Sequence, residues 1–458
     1  MALQSNDGIY VIFFIVFNFF IIMELPKVLI IGQPFNNDTG GGITLSSLFK
    51  GWDRDKLAVA CSSYLLLDNI DTEVCNTYYQ LGEKEHKWSF PFNYLQRKYP
   101  SGLIQFSKKK IQNLTIEKSR LRISFIVKVF YPIIEYIGLY NIINKTVLSE
   151  ELCNWLDEYN PDVIYDQASS RNGILFCIAV QAYLKKPMIF HMMDDWPSTL
   201  NQEGLFKRYW QRKIDREFRM LLNKATILMS ISEEMAIEYK KRYNKNFITF
   251  HNTVDLDFWK KYQRKGYELN VSPTIRYAGR IGLGIDSSLK LIAKAVEMVN
   301  EELNLSVNFI LQTPEKPAWI KNYKNVIHSS FVAYDDLPEI FSESDFLLLP
   351  YDFTPASIKY IQFSMPTKAP EFMITGTPII IFAPENTAVV KYARKYNWAK
   401  VITKNNIHEV SLAIKELIEN KELRQQFAKN AIKIAEENHD SIDVTRQFRT
   451  VICSLVHP

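Results

Sequence analysis

The chain has 458 residues, of which 47% are hydrophobic and 13% aromatic; this excludes one small module and predicts two or three folded domains. Charged residues make up 23%, and Lys plus Arg exceed Asp plus Glu by only five, 55 against 50, so neither a disordered polyelectrolyte nor a nucleic-acid binder is indicated. Five scattered cysteines without a C-x-x-C pair, and seven histidines without metal-ligand spacing, suggest neither a disulfide framework nor a metal site; the cysteines read as reduced thiols of a cytoplasmic protein.

In chain order, the first feature is an uncharged run of 16 residues from Gly8 to Met23. A spanning helix needs about 20 residues, Asn18 interrupts the run, and no small-residue cleavage site follows. Residues 1–22 therefore read either as the product of an upstream start or as a weak membrane anchor.

From Lys27 onward, short β-rich runs alternate with helical patterns, which argues for an α/β protein with parallel sheets. The expected strands of a first domain, residues 23–255, are Val28–Ile31, Leu57–Cys61, Val163–Tyr165, Met188–His191, Ile227–Ile231 and Phe247–Phe250. A lysine-rich linker is expected over 256–273. A second domain, 274–438, restarts the pattern with Thr274–Ala278, Val307–Gln312, Asn325–His328, Phe346–Leu349, Pro378–Phe382 and Lys400–Ile402. Helices follow at Val410–Ile418, Lys421–Glu437 and Ile442–Leu455, the last within a terminal segment, 439–458. Two doubly wound domains facing each other form a cleft, with ligands outside the carboxyl ends of the strands.

The motifs fall at those ends. After the first strand, Gly40-Gly41-Gly42 precedes a helix expected to begin at Leu45, where backbone amides can meet phosphate; a plain flexible turn is the alternative. Met188–His191 runs into Asp194 and Asp195, placing an imidazole and two carboxylates where they can touch a hydroxyl or a phosphate, unless an aspartate merely caps the next helix. Arg280 follows Gly279 at the end of the second domain's first strand, suited to pairing with a diphosphate. The most specific signal runs from Phe363 to Pro378: Ser364 and Pro366 read as cap and first turn of a helix, with Thr367, Lys368 and Glu371 along it and Gly376 as its stop. A carboxylate at Glu371 can accept hydrogen bonds from both hydroxyls of a ribose.

These segments, together with Ile231-Ser232-Glu-Glu-Met, Tyr239 and His251-Asn252-Thr-Val-Asp255, resemble in order and spacing the GT-B retaining glycosyltransferases of family 4, over about Lys27 to Leu455. The resemblance implies two Rossmann-like domains around a cleft, the first (23–255) binding the acceptor and the second (274–438) the nucleotide sugar, with the C-terminal helix crossing back to the first. It assigns Glu371 to the donor ribose, Arg280 to the diphosphate, Gly41 and Gly42 to the phosphates and transferred sugar, and His191 to the active site near that sugar. Ser364, Pro366, Thr367 and Lys368 join the donor site, while Asp194 and Asp195 are left to orient the acceptor. No cofactor or metal is implied beyond the nucleotide-sugar co-substrate. Two departures stand out: Phe363 occupies a position where the family often has a second glutamate, and Ile285 and Asp286 stand where it often has a lysine. Lys368, in Pro366-Thr-Lys368-Ala-Pro-Glu371, can supply the missing charge. The literal D-x-D strings at Asp53 and Asp255 read as surface turns.

Between Tyr94 and Lys128, nine basic residues face one acidic residue. Arg97, Lys98, Lys108, Lys109, Lys110, Arg120 and Arg122 are interleaved with Leu103, Ile104, Phe106, Leu121 and Ile123, which suits an anionic membrane surface; a solvated basic helix is the alternative. The implied partners are a nucleotide sugar, a glycan or polyprenyl-linked glycan acceptor and the inner membrane face, with no nucleic acid. The competing readings are a degenerate subunit that only binds a partner and a sugar-nucleotide epimerase of the same fold.

Overall fold

The computed structural model describes residues 24–37, 39–62, 70–94, 96, 98–104, 126–200, 204–282 and 284–456. Residues 1–22, and with them the anchor, lie outside the described residues. So do Arg97, Lys108, Lys109, Lys110, Arg120 and Arg122; of the selected basic residues Lys98 is described, exposed and 3.9 Å from Glu83.

The strands in chain order are β1 (Val28–Ile31), β2 (Leu57–Ser62), β3 (Tyr78–Leu81), β4 (His86–Trp88), β5 (Gly102–Leu103), β6 (Asn144–Thr146), β7 (Val163–Asp166), β8 (Met188–Met192), β9 (Ile227–Ser230) and β10 (Ile248–Thr249) in the first domain. The second domain holds β11 (Thr274–Ala278), β12 (Asn308–Gln312), β13 (Val326–Ser329), β14 (Phe346–Pro350), β15 (Ile379–Phe382) and β16 (Lys400–Ile402). The first sheet has the order β10-β9-β8-β7-β1-β2-β3-β5, parallel except where β5 runs against β3. The second has the order β13-β12-β11-β14-β15-β16 and is parallel throughout. Helices cover both faces, so β1, β7, β8, β14 and β15 are buried along their length, and their sequences run as continuous apolar stretches instead of alternating. This is the doubly wound pair expected from the sequence. The switch points lie between β1 and β7 in one sheet and between β11 and β14 in the other.

The sequence pattern missed the short strands β3 to β6. His86–Trp88 and Asn144–Thr146 form a separate two-stranded antiparallel pair whose polar composition carries no strand periodicity.

The linker is not a loose tether. Asp255 caps the helix Leu256–Lys260 by accepting from the Phe258 amide at 3.1 Å and pairs with Lys50 at 2.9 Å. Trp259 is fully buried, and the Arg264 amide donates to the Thr375 carbonyl at 2.8 Å, which holds the linker against the second domain. The final helix, Ser441–Cys453, returns to the first domain, where Phe448 meets Phe49 edge-on at 5.1 Å.

At the crossing, the Val254 amide donates to the His439 carbonyl at 2.8 Å and the Ser441 amide to the Val254 carbonyl at 3.0 Å. His439 is fully buried there. Its Nδ1 lies 2.7 Å from the Asn252 carbonyl, which can only accept, so Nδ1 carries the proton and Nε2 accepts from the Tyr392 hydroxyl at 2.9 Å. The ring of His251 stands 5.3 Å from it. Burial pushes the pKa of His439 down to about 3 and that of His251 to about 4, so both are neutral at physiological pH. Among the described residues no helix is long and apolar enough to cross a membrane.

Candidate active site

The glycine run is the first turn of a helix, Gly40–Leu48, which begins five residues earlier than expected. Glycine disfavours a helix interior, but here Thr39 supplies the cap, its hydroxyl accepting from the Gly42 amide at 3.1 Å. Asn36 in turn accepts from the Thr39 amide and hydroxyl, both at 2.9 Å. A side chain at Gly42 would put its Cβ 2.3 Å from the Asn36 carboxamide, so Asn36 is the reason for that glycine. Gly41 approaches the Gln33 side chain, while Gly40 faces across the cleft: a Cβ there would lie 3.5 Å from the Thr367 methyl of the second domain. The glycine turn and the Pro366–Lys368 stretch therefore confront each other.

Arg280 emerges, exposed, at the carboxyl end of β11. The Tyr277 hydroxyl donates to its carbonyl at 2.7 Å and fills the space a side chain at Gly279 would need, 2.6 Å from the hydroxyl oxygen. The glycine thus permits a tyrosine to pin the backbone that presents Arg280.

The helix of the 363–378 block is Ala369–Ile374, with Lys368 immediately before it, so it starts later than the sequence suggests. Ser364 does not cap it; its hydroxyl crosses the cleft and donates to Asp194 Oδ1 at 2.6 Å. Two further bonds bridge the domains beside it. Ser232 donates to the Phe363 carbonyl at 2.6 Å, and Asn252, itself accepting from Thr44 at 2.7 Å, donates to the Met365 carbonyl at 3.2 Å. Gly376, at φ +72°, ends the block and leads into β15.

Glu371 is only 9% exposed. Tyr334 donates to its Oε1 at 3.2 Å, Lys368 Nζ stands 3.9 Å from Oε2, and Oε2 has no hydrogen-bond partner among the described residues. Burial raises its pKa, while the Lys368 charge and the Tyr334 bond hold it down. A buried carboxylate with one oxygen unsatisfied beside a lysine is suited to accept from a diol and to tolerate a neighbouring anion.

The two aspartates after β8 diverge. Asp194 faces the second domain through Ser364; burial raises its pKa, the Ser364 bond opposes this, and neighbouring Asp195 adds to it. Asp195 is 1% exposed and turned inward, accepting from Tyr239 at 2.7 Å and from Arg242 at 2.9 and 3.1 Å. Its contacts are those of an internal ion pair, in contrast to the orienting position expected for it. His191 is also internal, at 1% exposure. Its Nδ1 lies 2.6 Å from the Tyr165 hydroxyl, which accepts from Gln167 at 2.9 Å, and burial pushes its pKa to about 3.

Three residues escaped the sequence pattern. Trp259 donates to the Tyr334 hydroxyl at 3.3 Å, and Tyr334 in turn donates to Glu371, so the linker helix reaches the carboxylate through one tyrosine. Asp166 ends β7 with neither oxygen hydrogen-bonded among the described residues; its position at the carboxyl end of a central strand was the one sequence signal for it. If Glu371 receives a ligand, Tyr334→Phe is expected to raise the Michaelis constant for the donor by roughly three- to tenfold with little change in kcat, the loss of one positioning hydrogen bond; an unchanged constant in steady-state kinetics counts against that link.

Residues 275–434 match the family model described as Glycosyl transferases group 1. That span contains Arg280, Lys368 and Glu371. No curated protein matches the sequence. Among solved structures, the chain is similar to Anabaena HepE in complex with UDP and glucose, at 13% identity and a TM-score of 0.57 over 94% of this chain and 100% of that one. It is similar to sucrose-phosphate synthase from Thermosynechococcus elongatus, at 10% identity and a TM-score of 0.57 over 94% and 99%. A glycosyltransferase from Rickettsia africae aligns at 10% identity and a TM-score of 0.56 over the same shares. These likenesses establish the GT-B fold.

Proposed function

We propose that this chain is a retaining, metal-independent family 4 glycosyltransferase that moves a sugar from a nucleotide-diphosphate donor to a hydroxyl of a glycan or lipid-linked glycan, in surface polysaccharide biosynthesis. The observation that carries the reading is Glu371: a buried carboxylate with one unsatisfied oxygen, beside Lys368 and opposite the glycine turn. The family match over the same segment supports it.

On this reading Glu371 accepts from the ribose hydroxyls, and Arg280 and Lys368 stabilise the charge that develops on the departing diphosphate. The acceptor oxygen bonds to the anomeric carbon on the face from which the phosphate oxygen leaves, which keeps the configuration, and that phosphate oxygen takes the acceptor proton. His191, neutral by burial, serves orientation and carries no charge at physiological pH. Calorimetry with a panel of nucleotide diphosphates tests the reading. Binding, with acceptor-dependent release of nucleotide, supports transfer; no binding supports a degenerate subunit; and conversion of the donor sugar without an acceptor supports an epimerase. Arg280→Ala should weaken diphosphate binding by about tenfold or more, and an unaltered affinity would remove Arg280 from the site.

The acceptor side is proposed to meet an anionic membrane. Ile133 and Tyr136 are exposed next to exposed Leu205, Phe206 and Tyr209, the two segments joined by the Leu205 amide donating to the Tyr136 carbonyl at 2.9 Å. Lys207, Arg208 and Arg212 are exposed alongside, and cations around apolar side chains suit an interface with anionic lipid. The full chain is expected to co-sediment with phosphatidylglycerol vesicles at low salt, and Leu205→Ser with Phe206→Ser to reduce the bound fraction severalfold. Equal sedimentation with neutral vesicles, or none, contradicts the proposal.

A further inference from the structure

A cavity of about 810 Å³ opens at the carboxyl ends of β1, β2 and β7, built from first-domain residues. Gln33, Ser62, Asn141 and Asn172 offer neutral hydrogen-bonding groups on its wall, and Tyr136 and Tyr140 also line it. Its charged groups are largely spent. Arg171 holds Glu217 through two bonds of 2.6 Å and donates to the Asn141 carbonyl at 2.7 Å. His86 is kept neutral by burial, in contact with Ser62 at 3.1 Å. Glu135 lines the wall and is exposed.

Asp166 is different. It is 0% exposed, lines the cavity, and neither carboxylate oxygen has a hydrogen-bond partner among the described residues. Two other carboxylates at 0% exposure are satisfied: Glu85 accepts from Tyr79, Ser101 and the Gly82 amide, and Asp345 from two backbone amides and Asn270. Burial pushes the Asp166 pKa up to about 7, opposed by the Cys177 thiol and the backbone amides of Ala168 and Gln167. Gly32, whose φ of +88° calls for glycine, lies beside it: a Cβ there would stand 4.0 Å from Asp166 Oδ1, an ordinary contact. An unpaired buried carboxyl is costly, and a ligand hydroxyl is the partner that such a wall can supply.

We propose that this cavity binds a neutral glycosyl unit of the acceptor and that Asp166 selects it by hydrogen bonding to its hydroxyl groups. The proposal rests on the reading that the first domain takes the acceptor. Hydroxyls pair with Asp166 and the surrounding amide and hydroxyl side chains, and the C–H faces of the sugar lie on tyrosine rings. Among the described residues of the wall the one cation, Arg171, is committed to Glu217.

The test uses the full chain and the n-octyl glycosides of glucose, galactose, mannose and N-acetylglucosamine, each below its micelle concentration, followed by saturation-transfer NMR and calorimetry, with octyl phosphate as the anionic probe and UDP as the donor-site control. At least one glycoside should bind, octyl phosphate should not displace it, and Asp166→Leu should weaken binding tenfold or more while leaving UDP affinity unchanged and the melting temperature no lower. Asp166→Asn, which keeps the shape, should weaken binding less and serves if the leucine variant does not fold. Failure of every glycoside, unaltered binding in both variants, displacement by octyl phosphate, or a lowered melting temperature in both variants overturns the proposal. Loss of nucleotide binding in the wild type instead overturns the transferase reading, a separate outcome from glycoside binding.

Discussion

Glu371→Ala is expected to lower kcat/KM for the donor by at least about a hundredfold and to remove measurable nucleotide affinity, because a charged hydrogen bond contributes roughly 1.5–3 kcal/mol and this carboxylate would make two. The same substitution should hardly change the melting temperature. One oxygen of Glu371 has no hydrogen-bond partner among the described residues and only a 3.9 Å ion pair with partly exposed Lys368, and the other accepts a single 3.2 Å bond from Tyr334. Activity and stability therefore separate at this position, which they would not do for a carboxylate that merely holds the block together. Glu371→Gln, keeping the size but halving the acceptors, should fall between. Wild-type kinetics in the alanine variant, measured with whichever nucleotide sugar calorimetry identifies, would dismantle the donor site built around Glu371.

Acidification should destabilise the protein well before its carboxylates are exhausted. His191 and His439 are held at pKa values of about 3 and His251 at about 4, all below the value of about 6.5 in an unfolded chain. The folded state thus binds fewer protons, and the stability these histidines contribute is complete above pH 6.5 and lost as pH falls below it. Each unit of fall costs about 1.4 kcal/mol per histidine. Asp166 acts in the opposite sense: with its pKa raised to about 7, its penalty is absent at pH below 4 and grows as pH rises toward 7. His86, also lowered by burial, adds to these histidines, and the raised carboxyls of Asp194 and Glu371 join Asp166; the three large histidine shifts are expected to leave a net loss of stability between pH 7 and 5. Thermal unfolding followed across that range should show the decline, and His439→Gln, which can still donate to Asn252 and accept from Tyr392, should flatten it. A melting temperature constant from pH 7 to 5 would show that the crossing accommodates charged imidazoles.

Much of the architecture was legible because a strand buried on both faces must be an unbroken apolar run. Phe346-Leu-Leu-Leu and Ile379-Ile-Ile-Phe announce themselves, and the glycine and proline around them mark their ends. Glu371 was legible for the same reason: a charge surrounded by apolar residues invites a functional explanation. Asp194 and Asp195 were not distinguishable, since adjacent residues differ only in which way the chain turns, and Arg242, which captures Asp195, lies 47 positions away. The Trp259 to Tyr334 bond spans 75 positions, beyond any local pattern. The start of the helix at Gly40 was hidden because three glycines argue against a helix, and only the Thr39 cap and its Asn36 support reverse that judgement.

The bridges at residues 363–365 have a bearing on how this protein can change over evolutionary time. Two of the three bonds that tie the stretch to the first domain end on main-chain carbonyls, at Phe363 and Met365, and so do not depend on which side chains those positions carry. Lys368 and Glu371 come directly after, with their spacing fixed from outside the block. At position 363, where the resembling enzymes often carry a second glutamate, this chain has a buried aromatic ring 5.3 Å from Arg242, so the side chain is constrained by packing while the carbonyl contact is not tied to its identity. A scaffold clamped through its backbone keeps two of its inter-domain contacts whichever side chains those positions carry.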